Sequence, residues 1–311
     1  MELVRGLHNL RPEHRGCAAT IGSFDGIHLG HQTVLAQLAV QGRERQLPVT
    51  LITFEPQPRE YFMPEEAPPR LTRFREKIEV LRHCGIDRVV CLRFNAYLAS
   101  LTANEFIQRI MLDGLAVKYL VVGDDFRFGK GRTGDYSLLQ QAGKTHGFPV
   151  VTMQTFNIGN HRVSSTRIRV ALNDGDLSGA EKLLGRPYWM SGRIAHGDKR
   201  GRTIGFPTAN IFLHRTAVPV DGVFAVEMRG IDNRTIPGVA NVGTRPTVDG
   251  SRALLEVHLF GFDREIYGRH VQVSFLKKLR SERKFESFEL LKRQIELDAE
   301  QARAFFAGAA A

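Results

Sequence analysis

Two stretches of this 311-residue chain carry side chains whose types and spacing suit work on phosphate. In the first, Gly22-Ser23-Phe24-Asp25-Gly26-Ile27-His28-Leu29-Gly30-His31 follows a β-branched run and leads into an amphipathic segment. Glycines let backbone come close to a ligand, and a helix N-terminus offers unpaired N–H groups and partial positive charge to an anion. His28 and His31 stand three apart at that helix start, on one face, where imidazoles can donate to phosphate oxygens as charge develops on them. A lone histidine here would more often be structural, but the pair within this glycine pattern favours chemistry. Zinc is a poor alternative, because no cysteine or carboxylate lies at ligand spacing and His-x-x-His supplies only two ligands. No G-x-x-x-x-G-K-[ST] occurs, so the turn is not a P-loop.

The second stretch, Gly192 to Asn210, reads GRIAHGDKRGRTIGFPTAN and is dense in glycine and cations. Such a loop can wrap a polyphosphate through backbone N–H groups and the Arg202 guanidinium. Gly197, Arg202 and Gly205 are candidates for ATP contact, and so is Pro207 at the end of the loop, though it has no N–H to donate. Thr208 and Asn210 lie two apart, so in an extended segment their oxygens point to one face and can hold a magnesium ion against phosphate. By itself P-T-A-N is an ordinary turn into a strand. Further on, Glu256 interrupts Leu254-Leu255-Glu256-Val257-His258-Leu259-Phe260, a strand otherwise apolar on alternate positions, where a carboxylate is expected to be partly desolvated. The plain alternative is an outward glutamate on an edge strand.

The elements that must hold these residues divide the chain in two. From Cys17 to about Leu184, short β-branched runs (CAATIG, VTLITF, RVVCL, KYLVVG, FPVVTM) alternate with helix-period segments. That alternation predicts a mostly parallel sheet covered by helices. After Gly185 come closely spaced strands punctuated by Gly, Pro and Asn, the pattern of a small β-barrel or sandwich. A helix follows over SFELLKRQIELDAEQARAFF, with Phe288, Leu291, Ile295 and Leu297 at apolar spacing. The expected class is therefore α/β, with domains 1–184 and 185–311. A composition of 42% hydrophobic and 24% charged residues is that of an ordinary globular protein. No apolar run approaches the roughly 20 residues that span a bilayer, and the first residues lack a signal peptide's apolar core, so a cytoplasmic location is expected. Cys17, Cys84 and Cys91 are widely spaced in apolar segments and read as reduced core residues. The net charge of +10 is spread over both halves, with 23 basic against 19 acidic residues in 1–184 and 20 against 14 in 185–311. It suits small polyanions as well as nucleic acid.

G-x-F-D-G-x-H-x-G-H resembles the first motif of the bacterial bifunctional riboflavin kinase/FAD synthetases. More broadly, H-x-G-H marks nucleotidyltransferases with a Rossmann-like fold, and alone it leaves open pantetheine phosphate, nicotinamide mononucleotide and CTP-dependent substrates. Three later segments resemble the same family in matching order: Thr53-Phe54-Glu55-Pro56-Gln57-Pro58, Val122-Gly123-Asp124-Asp125-Phe126-Arg127-Phe128-Gly129, and Val163-Ser164-Ser165-Thr166-Arg167-Ile168-Arg169. Many relatives have His where this chain has Gln57, which is assigned no chemistry. In the second half, G-R-x-x-G-F-P-T-A-N is similar to the riboflavin kinase signature. Gly222-Val223-Phe224-Ala225-Val226, Asn241-Val242-Gly243-Thr244-Arg245-Pro246-Thr247 and Lys278-Leu279-Arg280 match further pieces.

The resemblance implies a Rossmann-like nucleotidyltransferase domain followed by a riboflavin-kinase barrel. The barrel would phosphorylate riboflavin to FMN with Mg-ATP. Glu256 would act as general base on the ribityl 5′-hydroxyl, and Thr208 and Asn210 would hold the metal. The first domain would adenylylate FMN to FAD, with His28, His31 and Arg167 stabilising phosphate charge. Gly22, Ser23, Phe24, Asp25, Gly26, Gly30, Ser165 and Thr166 would contact ATP. Asp125 would face the flavin, Arg280 would close over it, and the glycines of GKGRTGDY would form a mobile loop. The expected partners are riboflavin, FMN, FAD and ATP, without nucleic acid or membrane; the oligomeric state is left open. Two other readings compete. The barrel could be a non-catalytic platform, against which intact P-T-A-N and Glu256 argue. It could instead be an RNA-binding module, against which stands the scarcity of aromatics among its basic residues.

Overall fold

A computed structural model describes residues 1–153, 156–159, 161–196, 205–215, 217–247 and 250–309. Two compact units appear: Met1–Pro68 with Thr72–Ser164, and Pro69–Leu71 with Ser165–Ala311.

In the first unit, strands β1 (Glu2–Arg5), β2 (Ala18–Ile21), β3 (Val49–Glu55), β4 (Arg88–Arg93), β5 (Tyr119–Gly123) and β6 (Val150–Met153) form a parallel sheet in the order β1-β4-β3-β2-β5-β6. Successive residues of a strand point to opposite faces, and both faces here are apolar. Val49 and Leu51 of β3 join a cluster with Leu35, Leu38 and Leu81, while Ile52 and Phe54 join another with Phe106 and Ile110. Helices α1 (Leu29–Glu44), α2 (Pro58–Phe62), α3 (Phe74–Leu81), α4 (Ala96–Ser100) and α5 (Ala103–Phe106, running on as a π-helix through Gly114) occupy the crossovers, with α6 (Tyr136–His146) before β6. A small hairpin of β7 (Asn157–Ile158) and β8 (His161–Arg162) follows. The chain winds outward from β2 through β3 to β4, then returns to start β5 on β2's other side. That reversal is the topological switch point, where ligands of open α/β sheets bind beyond the carboxyl ends of the strands.

Sequence reading did not include β1, a four-residue edge strand too short to show a period. It is held by Glu2, whose carboxylate meets Arg88 at 3.1 Å and His14 at 3.0 Å. Cys17 and Cys91 are buried and Cys84 half-buried, all as free thiols. Burial pushes the Cys17 thiol up to about 11, which keeps it protonated and inert.

In the second unit, α7 (Ser165–Asn173) and α8 (Leu177–Leu184) precede a closed antiparallel barrel. Asp176 caps the start of α8 by accepting from the Gly179 N–H at 2.8 Å, and Gly185 ends it in the left-handed conformation. The barrel strands are β9 (Trp189–Ala195), β10 (Ala209–Phe212), β11 (Gly222–Arg229), β12 (Ile236–Thr247), β13 (Gly250–Leu259) and β14 (His270–Arg280), arranged β10-β13-β12-β11-β14-β9. The closing helix α9 (Phe288–Ala309) lies against β11, β12 and β14. Of the apolar residues at helical spacing, Phe288 and Leu297 are 54% and 48% exposed and do not mark the docked face. Ala299 and Ala302 are buried instead, beside Val223, Ala225 and Val239, with Phe305 and Phe306 packed around them. Small alanines let the helix backbone approach the barrel, so the docked stripe is set by close contact rather than by the largest side chains.

Candidate functional site

The glycine-histidine turn leaves the carboxyl end of β2 at the switch point, and Gly123-Asp124-Asp125 leaves β5 beside it. The turn is tightly wound, with positive φ at Phe24 (46°), Gly26 (83°) and Ile27 (42°). Glycine adopts this readily, whereas phenylalanine and a β-branched residue resist it by about 1–3 kcal/mol each. Burial of Phe24 and Ile27 in the core offsets that cost. Asp25, also buried, accepts from Thr72 N–H at 2.9 Å and from the Thr72 hydroxyl at 3.2 Å, and the same hydroxyl accepts from the Gly26 N–H at 3.0 Å. Beneath the turn, Lys77 is fully buried and donates from Nζ to the Ser23 carbonyl at 2.5 Å. Thr72 and Lys77 are absent from the sequence-based site. The signal for Lys77 was present, because it takes the apolar position between Phe74 and Leu81 on the buried face of α3.

His28 is the N-cap of α1, its Nδ1 accepting from the His31 N–H at 3.3 Å. A neutral His28 therefore carries its hydrogen on Nε2. The His28 and His31 rings stack at 3.6 Å and 14°, and Phe24 leans on His31 at 4.8 Å. Burial, with help from His28 and the Lys77 ammonium, holds His31 well below the ordinary imidazole value, so it is neutral at physiological pH. Its Nδ1 is buried without a hydrogen-bond partner among the described residues. Such an atom calls for an explanation, and a ligand supplies one. A Cβ on Gly30 would come within 3.2 Å of His28 Nδ1, so a larger residue would press on the ring.

Asp125 is exposed and paired with Arg162 at 3.0 Å, with Asp124 at 3.6 Å from the same guanidinium. The GKGRTGDY segment, expected to be a mobile loop, is tied at both ends. Phe128 and Gly134 exchange backbone hydrogen bonds of 3.1 and 2.9 Å, and the Lys130 N–H donates to the Leu101 carbonyl at 2.7 Å. Gln57 is the N-cap residue of α2. Ser165, Thr166 and Arg167 open α7 in the second unit, with Arg167 half-buried.

On the barrel, strand register assembles the second set. Glu256 lies directly opposite Asn210 in the β10–β13 ladder and opposite Asn241 in the β12–β13 ladder. Residues directly opposite share a face, so the three form a polar row across three strands. Leu255 and Val257 are fully buried and point the other way, which turns Glu256 outward from the barrel interior, half-buried. The plain alternative of an edge strand does not hold, because β13 is paired on both sides. Asn241 received no individual role from sequence, since only the register reveals that it faces Glu256. Thr208 is exposed immediately before β10, and Gly205 turns at φ 82°. Gly197 and Arg202 lie outside the described residues.

Arg280 continues the row, opposite Val223, which is itself opposite Asn241. Its guanidinium is engaged by Asp298 of α9, with Nε at 2.9 Å and Nη2 at 2.8 Å from the two carboxylate oxygens. His258, two residues beyond Glu256, has Nδ1 at 2.9 Å from the Pro207 carbonyl and packs edge-on to Phe206 at 5.1 Å. Burial and the Arg303 charge outweigh that hydrogen bond and hold the His258 ring below its ordinary value, so it too is neutral. Among the described residues no group of three or more His, Cys, Asp or Glu could hold a metal ion.

A family model for FAD synthetase matches residues 10–167, and one for riboflavin kinase matches residues 184–306. Curated bifunctional riboflavin kinase/FMN adenylyltransferases are similar end to end. That of Escherichia coli K12 is 53% identical over 98% of either chain. That of Pseudomonas fluorescens is 52% identical over 100% of this chain and 99% of its own. A crystal structure of a Streptococcus pneumoniae protein described as a macrolide-efflux protein superposes with a TM-score of 0.81 at 32% identity, covering 97% of this chain and 99% of that one. Among the described residues no helix is long and apolar enough to cross a membrane. With both models matched in this order and about half the residues shared along the whole chain, the chain belongs to the bifunctional riboflavin kinase/FMN adenylyltransferase family, an enzyme that phosphorylates riboflavin to FMN with its C-terminal half and adenylylates FMN to FAD with its N-terminal half.

Proposed function

We propose that the two activities divide between residues 1–184 and 185–311, and that Glu256 and the stacked His28–His31 pair are their respective chemical centres. For phosphorylation, the reading rests on the Asn210–Glu256–Asn241 row. Glu256 takes the proton from the riboflavin 5′-hydroxyl, whose oxygen then attacks the γ-phosphorus of ATP in line, and ADP departs. Asparagines on either side hold the carboxylate in register and offer amide hydrogens to oxygens of the substrate. Phosphoryl transfer asks for positioning and charge stabilisation more than covalent help. Magnesium fits this face, because the Thr208 hydroxyl and Asn210 amide oxygen are hard donors of the kind it prefers, with Glu256 adjacent. Thr208 and Asn210 would hold the ion, which when bound neutralises charge on the phosphates. Gly205 and Pro207 contact the nucleotide, and the motif implies the same role for Gly197 and Arg202.

For adenylylation, the supporting observation is the stacked histidine pair at the start of α1, with His31 Nδ1 lacking a partner among the described residues. The FMN phosphate is largely dianionic at neutral pH and attacks the α-phosphorus of ATP without a general base. His28 and His31 donate N–H groups to the phosphate oxygens while pyrophosphate leaves, and Arg167 adds a full charge. The Gly22–Gly26 turn contacts the nucleotide through its backbone, since the Asp25 carboxylate is occupied by Thr72. Ser165 and Thr166 add hydroxyl contacts. Asp125 and Arg280 face the flavin, each steadied by an ion pair, with Arg162 and Asp298 respectively. The partners are riboflavin, FMN, FAD and ATP, without nucleic acid or membrane. A cytoplasmic location accords with three free cysteines.

The test is chromatographic. Purified protein with riboflavin, ATP and magnesium is expected to form FMN and FAD. The His28→Ala/His31→Ala protein should stop at FMN, and Glu256→Ala should make FAD only from supplied FMN. Loss of both activities in either variant would refute the division of labour.

A further inference from the structure

We infer that His258 is a positioning residue of the kinase site: its Nδ1–H fixes the Pro207 carbonyl and thereby sets Thr208 beside Asn210 and Glu256. The inference rests on reading Glu256 and P-T-A-N as the phosphorylation site. The β10–β13 ladder pairs Ala209 with Val257 and Asn210 with Glu256, and begins at Ala209. Continued by one residue, the same register sets Thr208 opposite His258, on the face that carries Asn210 and Glu256. Pro207 and Thr208 therefore lie just before the first pairing of β10, where the ladder no longer dictates their backbone. The 2.9 Å contact from His258 Nδ1 to the Pro207 carbonyl supplies the missing constraint. A carbonyl has no hydrogen to give, so Nδ1 must be the donor. The ring is itself oriented, edge-on to Phe206 at 5.1 Å and to Phe260 at 5.9 Å. Both the Glu256 carboxylate and the imidazole come from β13, so one strand holds the general base and the clamp on the residue proposed to meet magnesium.

Two substitutions separate the hydrogen bond from the packing. His258→Phe keeps an aromatic ring between Phe206 and Phe260 but has no donor. His258→Asn loses the ring but can place an amide N–H where Nδ1 stood. Riboflavin phosphorylation by the full chain is measured against Mg-ATP concentration, with thermal unfolding followed in parallel. His258→Phe is expected to raise the KM for Mg-ATP about tenfold with a smaller change in kcat, as the loss of one ordering hydrogen bond implies. His258→Asn is expected to restore the KM to within about threefold, even at some cost in stability. The reverse order, with Phe native-like and Asn impaired, would overturn the inference in favour of ring packing. So would equal impairment of both variants with lowered unfolding temperatures. Thr208→Ala and Glu256→Gln complete the set. If these two lose phosphorylation while His258→Phe does not change KM, only the positioning role fails. If these two retain it, the reading of the site fails and the inference with it.

Discussion

The two candidate centres of this chain are built in opposite ways. In the first unit the histidine turn is wound into strained backbone and supported from inside, by Thr72 on Asp25 and by Lys77 on the Ser23 carbonyl. In the barrel, Asn210, Glu256 and Asn241 are brought to one face by strand register, with side chains on the outward side of a closed ladder. A loop site needs buried polar anchors, because a loop has no ladder to dictate its path. A sheet site obtains its spacing from the repeat of the strand, and its weak point is the residue where pairing ends, here Thr208.

Four measurements put that contrast to the test. The largest effect is expected from Glu256→Gln, which keeps the register and removes the base. Riboflavin phosphorylation should fall by about 10²–10⁴-fold while adenylylation of supplied FMN is preserved. The His28→Ala/His31→Ala change should lower adenylylation by about 10²–10³-fold in a pyrophosphate-release assay, with phosphorylation at its native rate. Lys77→Met removes the interior donor to the Ser23 carbonyl together with the ammonium charge that helps keep His31 neutral. It should cost adenylylation about tenfold, visible as a higher KM for ATP, and leave riboflavin phosphorylation unchanged. Unaltered adenylylation kinetics in that variant would remove the claim that the turn depends on its buried anchors.

The smallest effect concerns pH. Both His31 and His258 titrate below the ordinary value of 6.5 in the folded chain. The unfolded state then binds more protons as pH falls through 6.5, so their contribution to stability is present above that value and is lost towards lower pH. Urea midpoints at pH 7.5 and pH 5.5 should therefore differ more for the native protein than for His31→Gln/His258→Asn. Equal differences would mean that neither ring is held neutral by its surroundings.

How much was legible in advance follows from the range of the interactions. The alternation of β-branched and helix-period segments between Cys17 and Leu184, and the run of short strands after Gly185, are local patterns, and the parallel sheet and closed barrel answer to them. His28 and His31 are three residues apart, so their meeting at a helix start is readable from spacing, and the stacked rings agree. Thr72 and Lys77 are about 50 residues from the turn they support, a pairing that only the packing of α3 against the sheet creates. The docked face of α9 is poorly marked in the sequence for a related reason, because the buried Ala299 and Ala302 are weaker signals than the exposed Phe288 and Leu297.

The class of each unit and most of the residues proposed for chemistry can be read from the chain, since periodicity and motif spacing act within a few turns or one strand. Which partners those residues keep depends on the folded arrangement. It gives Asp25 to Thr72, Arg280 to Asp298, Asn241 to the face of Glu256, and the Pro207 carbonyl to His258. These are contacts between segments distant along the chain, fixed by sheet register and helix docking rather than by any local pattern.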